Sequence, residues 1–220
     1  MIKKIKELLG VVFDKGDAPK EQKVVSIDPR VLQELVEEMA PKEPDLRTIG
    51  IFTDVESEKI AELVHALLYL NETNKMEPDP KKHLPVDFYI STYGGSADDM
   101  FALYDIMRQI KTTTEIHTIG MGKVMSAGVL LLAAGTKGQR KIGKYCRVMI
   151  HSVIGGSHGS LPNLANEMEA MQQIQKDYIE VLVKETKMTK KQLKNMLERK
   201  VNVYLSAEEA VELGIADEVI

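Results

Sequence analysis

From Ile49 onward the apolar positions switch period again and again. IGIFTDV alternates like a strand. SEKIAELVHALLYLNE then carries apolar residues at 60, 63, 64, 67, 68 and 70, one face of a helix, and Ser57 is placed to cap it. TNKMEPDPKKHLP, with its three prolines, reads as a loop. VDFYIS is the next strand and TYGGS a tight turn. ADDMFALYDIMRQIK follows, with Met100, Leu103, Ile106, Met107 and Ile110 on one face. TEIHTIGMG predicts a strand ending near Gly122, and MSAGVLLLAAG a short apolar helix. Two strand-like pieces lie around Gln139–Ile142 and Arg147–Ile150. Strand-helix repetition of this kind predicts an α/β fold built from parallel βαβ crossovers.

After a Gly-rich piece, GGSHGS, the spacing predicts a long helix from about Leu161 to Lys187. Its apolar residues fall at 161, 164, 168, 171, 174, 178, 181 and 182. The middle turns, NEMEAMQQIQKDY, are too polar for a core, so the helix suits an arm that projects and meets a partner's arm. SAEEAVELG predicts a last helix, with Ser206 and Glu209 as a capping box and Gly214 as its stop. IADEVI reads as a strand. Residues 1–47 differ in character: a charged linker at 14–23, then a helix at VLQELVEEM, read together as an extension of a main domain at 48–220.

Composition narrows the class. Of the 220 residues, 44% are apolar and 28% charged, which describes a folded, soluble chain. A net charge of −4, from 29 basic and 33 acidic residues, gives no electrostatic reason to expect nucleic acid. The single cysteine, Cys146, can form no disulfide within this sequence, so a reducing, cytoplasmic location is expected. Its strand-like setting, KYCRVMIH, marks it as a small buried filler. No apolar run approaches the ~20 residues that span a bilayer. The opening MIKKIKELLGVVF mimics an export signal, but Glu7 interrupts it and no small-residue cleavage site follows.

Acyl transfer needs a nucleophile on a constrained turn, a base beside it, and backbone N–H donors for the oxyanion. Ser126 stands where a strand gives way to an apolar helix, with small neighbours at Ala127 and Gly128. On that segment alone a helix cap is the commoner role. The two glycines of TYGGS let backbone N–H groups point at a ligand, or simply turn the chain. His151 ends the strand RVMIH just before the Gly-rich piece, where both catalytic bases and structural histidines occur. His65, His83, His117 and His158 lie in a helix, a loop, a strand and the Gly-rich piece. No HExxH or CxxC spacing supports a metal site.

Taken together, YISTYGGSADDMFALYDIMRQIK, GMGKVMSAGVLLLAAGTKGQR, RVMIHS and YLSAEEAVELGIADEV resemble, in order and spacing, the proteolytic subunit of the Clp protease family. The similarity runs from about Ile49 to Ile220. It implies a crotonase-like α/β fold with a projecting handle at about 153–187, GGSHGS forming the strand beside the handle helix. It implies a serine endopeptidase acting on peptides or unfolded proteins inside a barrel of two stacked heptameric rings. It assigns the nucleophile to Ser126, the base to His151 and the oxyanion donors to the backbone N–H groups of Gly95 and Ala127. No cofactor or metal is expected; ATP would be used only by a partner unfoldase of the AAA+ class.

The sequence departs from the family pattern in places. The triad acid is expected four residues before the Ser of Leu205-Ser206-Ala207, and that position is Asn202. An amide can orient the ring of His151 but supplies no charge. Asn202 therefore makes a slower triad, or marks a subunit that works beside a complete second subunit, or leaves the role to another carboxylate such as Glu198. Tyr89 and Met121 fit the apolar rim on which the ATPase docks, whereas Asp87 and Gln109 do not, which implies a changed or absent ATPase partner. A non-catalytic ring subunit, acyl-CoA chemistry and a viral capsid maturation protease are the other readings weighed. The Ser-His pair argues against the first two.

Overall fold

The computed structural model describes residues 46–198 and 201–220. The extension set at 1–47, with its expected helix, lies outside them except for Leu46 and Arg47. Seven strands and six α-helices follow among the described residues: β1 (Thr48–Ile51), α1 (Ser57–Met76), β2 (Val86–Thr92), α2 (Ala97–Ile110), β3 (Ile116–Met125), α3 (Ala127–Ala133), β4 (Arg140–Ile142), β5 (Arg147–Ile150), α4 (Leu161–Glu185), α5 (Lys190–Glu198), β6 (Val203–Leu205), α6 (Ala207–Glu212) and β7 (Glu218–Val219).

The strands form one sheet whose main path, β1-β2-β3-β4-β7, is parallel throughout. This is the α/β class that the repetition predicted. β3 has two neighbours in succession. Thr118–Gly120 pair with β4, and Lys123–Met125 pair with β5. Gly122, at φ +65, sits between the two stretches. The strand therefore continues past the point where the sequence suggested an end, because a glycine adopts the left-handed conformation that turns it toward a new partner. β6 adds antiparallel to β5.

Buried positions alternate along β2, with Val86, Phe88, Ile90 and Thr92 enclosed. They pack with the wholly buried helix α3 and the apolar faces of α1 and α2. Burial of each such large side chain contributes roughly 1.5–3 kcal/mol. The long helix α4 is split by exposure: residues 161–170 are all exposed, while Tyr178, Ile179, Leu182 and Glu185 are buried. Its first half is thus solvent-exposed, in keeping with the polar middle turns of its sequence.

Local differences from the sequence reading have identifiable causes. α1 runs to Met76 because its polar last turns are useful inside: Asn74 bonds the Leu84 backbone at both N–H (3.1 Å) and C=O (2.9 Å). Asn74 and Asn71 also bond Thr114. Glu56, not Ser57, is the N-cap of α1, and the Ser57 hydroxyl donates to Asp99 instead (2.9 Å). GGSHGS is not a strand here, since no edge among the described residues pairs with it. α5, absent from the sequence reading, rests on two buried anchors, Leu193 and Leu197.

One charged network ties the base of α4 to the sheet. The Arg140 guanidinium, 4% exposed, donates to the carbonyls of Glu185 (2.8 Å) and Gly214 (2.7 Å) and pairs with Asp217. Glu185 accepts from the Tyr104 hydroxyl (2.9 Å) and pairs with Lys137 (3.0 Å). Burial alone would raise the Asp217 carboxyl, but hydrogen bonds from the side chain and backbone N–H of Arg140 outweigh it. The carboxyl is held below its ordinary value of 3.8. A folded pKa below the unfolded one adds stability above the ordinary range and loses it as pH falls through the lowered value. Urea unfolding at a series of pH values is expected to show this acid loss. Arg140→Met should lower neutral-pH stability by about 3–5 kcal/mol, since it strands a carboxylate and buried carbonyls, and should flatten the acid limb.

Candidate active site

Ser126 lies between the end of β3 and the start of α3 with φ +54 and ψ −121, and is the only non-glycine residue at positive φ among the described residues. Such a conformation costs about 1–3 kcal/mol and persists only where the surroundings impose it. Here they do. The Ser126 N–H donates to the Met149 carbonyl of β5 (2.8 Å), and its own carbonyl accepts from Val129 N–H (3.0 Å) and from the Tyr178 hydroxyl (3.1 Å). Opposite stands Gly94, at φ +105, where an added Cβ would lie 2.5 Å from the Ser126 Cβ. The turn pushes the hydroxyl outward instead of letting it cap α3; no capping bond forms. A sharp strand-to-helix turn that exposes a serine is a nucleophile's setting.

The β3–β5 register then brings His151 near. Met149 pairs with Met125 and accepts from Ser126, and His151 lies two residues further on. Ser126 and His151 line one cavity of about 460 Å³, with Tyr93, Met100, Ile174 and Tyr178 among its walls. No hydrogen bond joins the Ser126 hydroxyl to the imidazole in this arrangement. The ring instead donates from Nδ1 to the Ser152 carbonyl (2.5 Å), an oxygen that can only accept. This leaves Nε2 as the unprotonated nitrogen of the neutral ring. The loop after His151 is anchored to α4 by Val153 N–H donating to Gln175 Oε1 (3.1 Å).

Gly95 and Ala127 also line the cavity. The Gly95 amide, at φ +149, donates to no acceptor among the described residues, although its neighbour Ser96 donates to Val55 (2.9 Å). Ala127 is the first residue of α3, where a backbone N–H has no intrahelical acceptor. Both amides are free to meet an anion. Asn202 is exposed and makes no bond to His151. Its place in the chain is suggestive all the same. β5 and β6 pair Ile150 with Val203, so the next antiparallel step sets residue 202 across from residue 151. Glu198 ends α5 exposed and does not line the cavity.

The other histidines are elsewhere: His83 lies between the Thr113 and Glu77 carbonyls, and His117 beside Asp87 and Glu115. Cys146 is buried, and burial pushes its thiol up to about 11, so it is no thiolate nucleophile. Tyr178 is the site residue that sequence reading missed. Its position in the apolar stripe of α4 marked it as packing, and nothing in the pattern announced a hydroxyl aimed at the residue 126 carbonyl.

The α/β fold and the cavity thus bring together a half-buried serine, a histidine and two open amides, the parts that a serine hydrolase uses. Comparison with known proteins agrees. A family model described as Clp protease matches residues 37–220, beginning inside the segment set apart as an extension. An ATP-dependent Clp protease proteolytic subunit of Deinococcus radiodurans is 33% identical over 174 residues, 79% of this chain and 80% of that protein. An ATP-dependent Clp protease proteolytic subunit 1 of Prochlorococcus marinus subsp. pastoris is 32% identical over 174 residues, 79% of this chain and 83% of that one. The chain belongs to the Clp protease family, a family of serine peptidases.

The contact between Gly94 and Ser126 is directly testable. Gly94→Ala adds a methyl at a positive φ and against the Ser126 Cβ, so thermal melting should show a loss of about 1–3 kcal/mol. A variant as stable as wild type would mean that the turn is looser than described.

Proposed function

We propose that this chain is a serine endopeptidase subunit that cuts peptides or unfolded proteins through an acyl-enzyme. Ser126 Oγ attacks the scissile carbonyl. His151 Nε2 accepts the hydroxyl proton and returns it to the leaving amine; water then attacks the ester by the same route in reverse. The Gly95 and Ala127 amides receive the oxyanion. One observation carries the reading: a serine held in a strained turn opens on the same cavity as a histidine and two amides without protein acceptors.

Proton transfer needs Nε2 within about 3 Å of Oγ, a contact that often tightens only when substrate binds. In this proposal the ring swings from the Ser152 carbonyl toward Ser126, and Asn202 Oδ1, set across from it by the strand register, takes over the Nδ1–H. Asn202→Asp should then keep or raise the turnover of a fluorogenic peptide, with fluorophosphonate labelling lost in Ser126→Ala as the control. A folded Asn202→Asp protein without activity would count against Asn202 as the orienting group.

The projecting half of α4 supports assembly into two stacked heptameric rings that enclose the cavities, in the cytoplasm and with no cofactor of its own. Native mass spectrometry should give about fourteen subunits; a stable monomer that hydrolyses peptide would refute the barrel. A second reading draws on the neutral groups around His151: a weakly active subunit completed by a paralogous one in a mixed ring. Asp87, paired with His117 at 3.4 Å, places a carboxylate on the surface read as the ATPase rim. An apolar docking loop would meet it at a desolvation cost, which supports a changed or absent unfoldase.

A further inference from the structure

We infer that Tyr178 is a positioning residue for the oxyanion site, aiming the Ala127 amide by holding the carbonyl of the same peptide unit. The inference rests on Ser126 as nucleophile. Ser126 C=O and Ala127 N–H belong to one planar trans peptide, so they point in opposite directions and turn together. Fixing the oxygen therefore fixes where the hydrogen points.

Two donors hold that oxygen. Val129 N–H, at 3.0 Å, comes from the first turn of α3 itself. The Tyr178 hydroxyl, at 3.1 Å, comes from α4 and is the only side chain on it among the described residues. A carbonyl has two lone pairs and accepts both. Rotation of this peptide turns ψ of Ser126, which stands at −121, and would swing the Ala127 N–H out of the cavity. The phenol opposes the rotation from outside the turn. It also polarises the peptide, which makes its N–H a better donor to a developing negative charge.

Tyr178 suits this work. It is 6% exposed, and its ring lines the cavity beside Ser126 and Ala127. Burial pushes the phenol well above its ordinary range, so the hydroxyl stays a donor wherever the peptidase works.

The test is Tyr178→Phe in the full chain, which keeps the ring and deletes the donor. Loss of an oxyanion donor costs about 10²–10³ in kcat. A misaimed one should cost less, so kcat for a fluorogenic peptide is expected to fall about 10- to 100-fold with KM near wild type. Fluorophosphonate labelling of Ser126 should slow in parallel while native mass stays the same. Unchanged kcat and labelling, or a change in KM alone, would overturn the role and leave Ser126 as nucleophile. A wild-type protein that is not labelled at Ser126 would overturn the reading beneath it as well. Should the Phe variant melt early, 3,5-difluorotyrosine at 178 gives a second reading. Its more acidic hydroxyl should add an alkaline fall in kcat, because a phenolate cannot donate to a carbonyl. No such limb would again dismiss the role.

Discussion

The site depends on β3 changing neighbours. Up to Gly120 the strand runs beside β4, and from Lys123 it runs beside β5. The second pairing delivers the Ser126 N–H to the Met149 carbonyl. That bond fixes how far the chain has travelled along β5 when it turns into α3. His151 follows two residues beyond Met149, so its distance from the serine is a matter of strand register. A slip by one residue would send the histidine to the other face of the sheet. Gly122, at φ +65, lets the strand bend toward its new partner.

The turn itself is a balance between strain and confinement. An L residue at φ +54 gives up roughly 1–3 kcal/mol, and nothing local in Ser126 favours it. The compensation comes from four parts of the chain at once. β5 takes the N–H, α3 and α4 take the carbonyl, and the Gly94 turn closes the open side. Gly128 adds a further condition, since a Cβ there would meet the Thr92 Cγ2 at 2.6 Å. Small residues around the serine thus let α3 sit close against β2, which keeps the turn sharp. The wholly buried α3 anchors the arrangement in the core.

Much of this was legible in the sequence because the relevant signals are periodic. The apolar period marked α2, α3 and the long α4, and the Ser206–Glu209 capping box is present as read. The serine, the histidine and the two amides were singled out by the family resemblance and not by any one motif, and all four line one cavity. What escaped was carried by side-chain hydrogen bonds, which leave no period. Asn74 looks like a loop residue until its partners 10 and 40 positions away are seen. Ser57 has the composition of a cap, but Asp99, 42 residues away, offers its hydroxyl a charged acceptor. GGSHGS, a strand only by resemblance, needs an edge to pair with, and none among the described residues does so. The Tyr178 hydroxyl belongs to the same class: its ring is visible as hydrophobicity, its bond is not.

The neutral surroundings of His151 also follow from geometry, and they limit what kind of loss this site suffers. Replacing the aspartate of a serine triad by asparagine costs about 10⁴ in turnover, largely because the amide can present its NH₂ and select the wrong tautomer. A backbone carbonyl has no such freedom. With the Ser152 oxygen on Nδ1, the proton sits on that nitrogen in the arrangement seen. The proposed swing toward Ser126 gives up that bond and passes the choice of tautomer to Asn202. The charge of an aspartate, which stabilises the imidazolium as it forms, is what an asparagine in that role would lack in either arrangement.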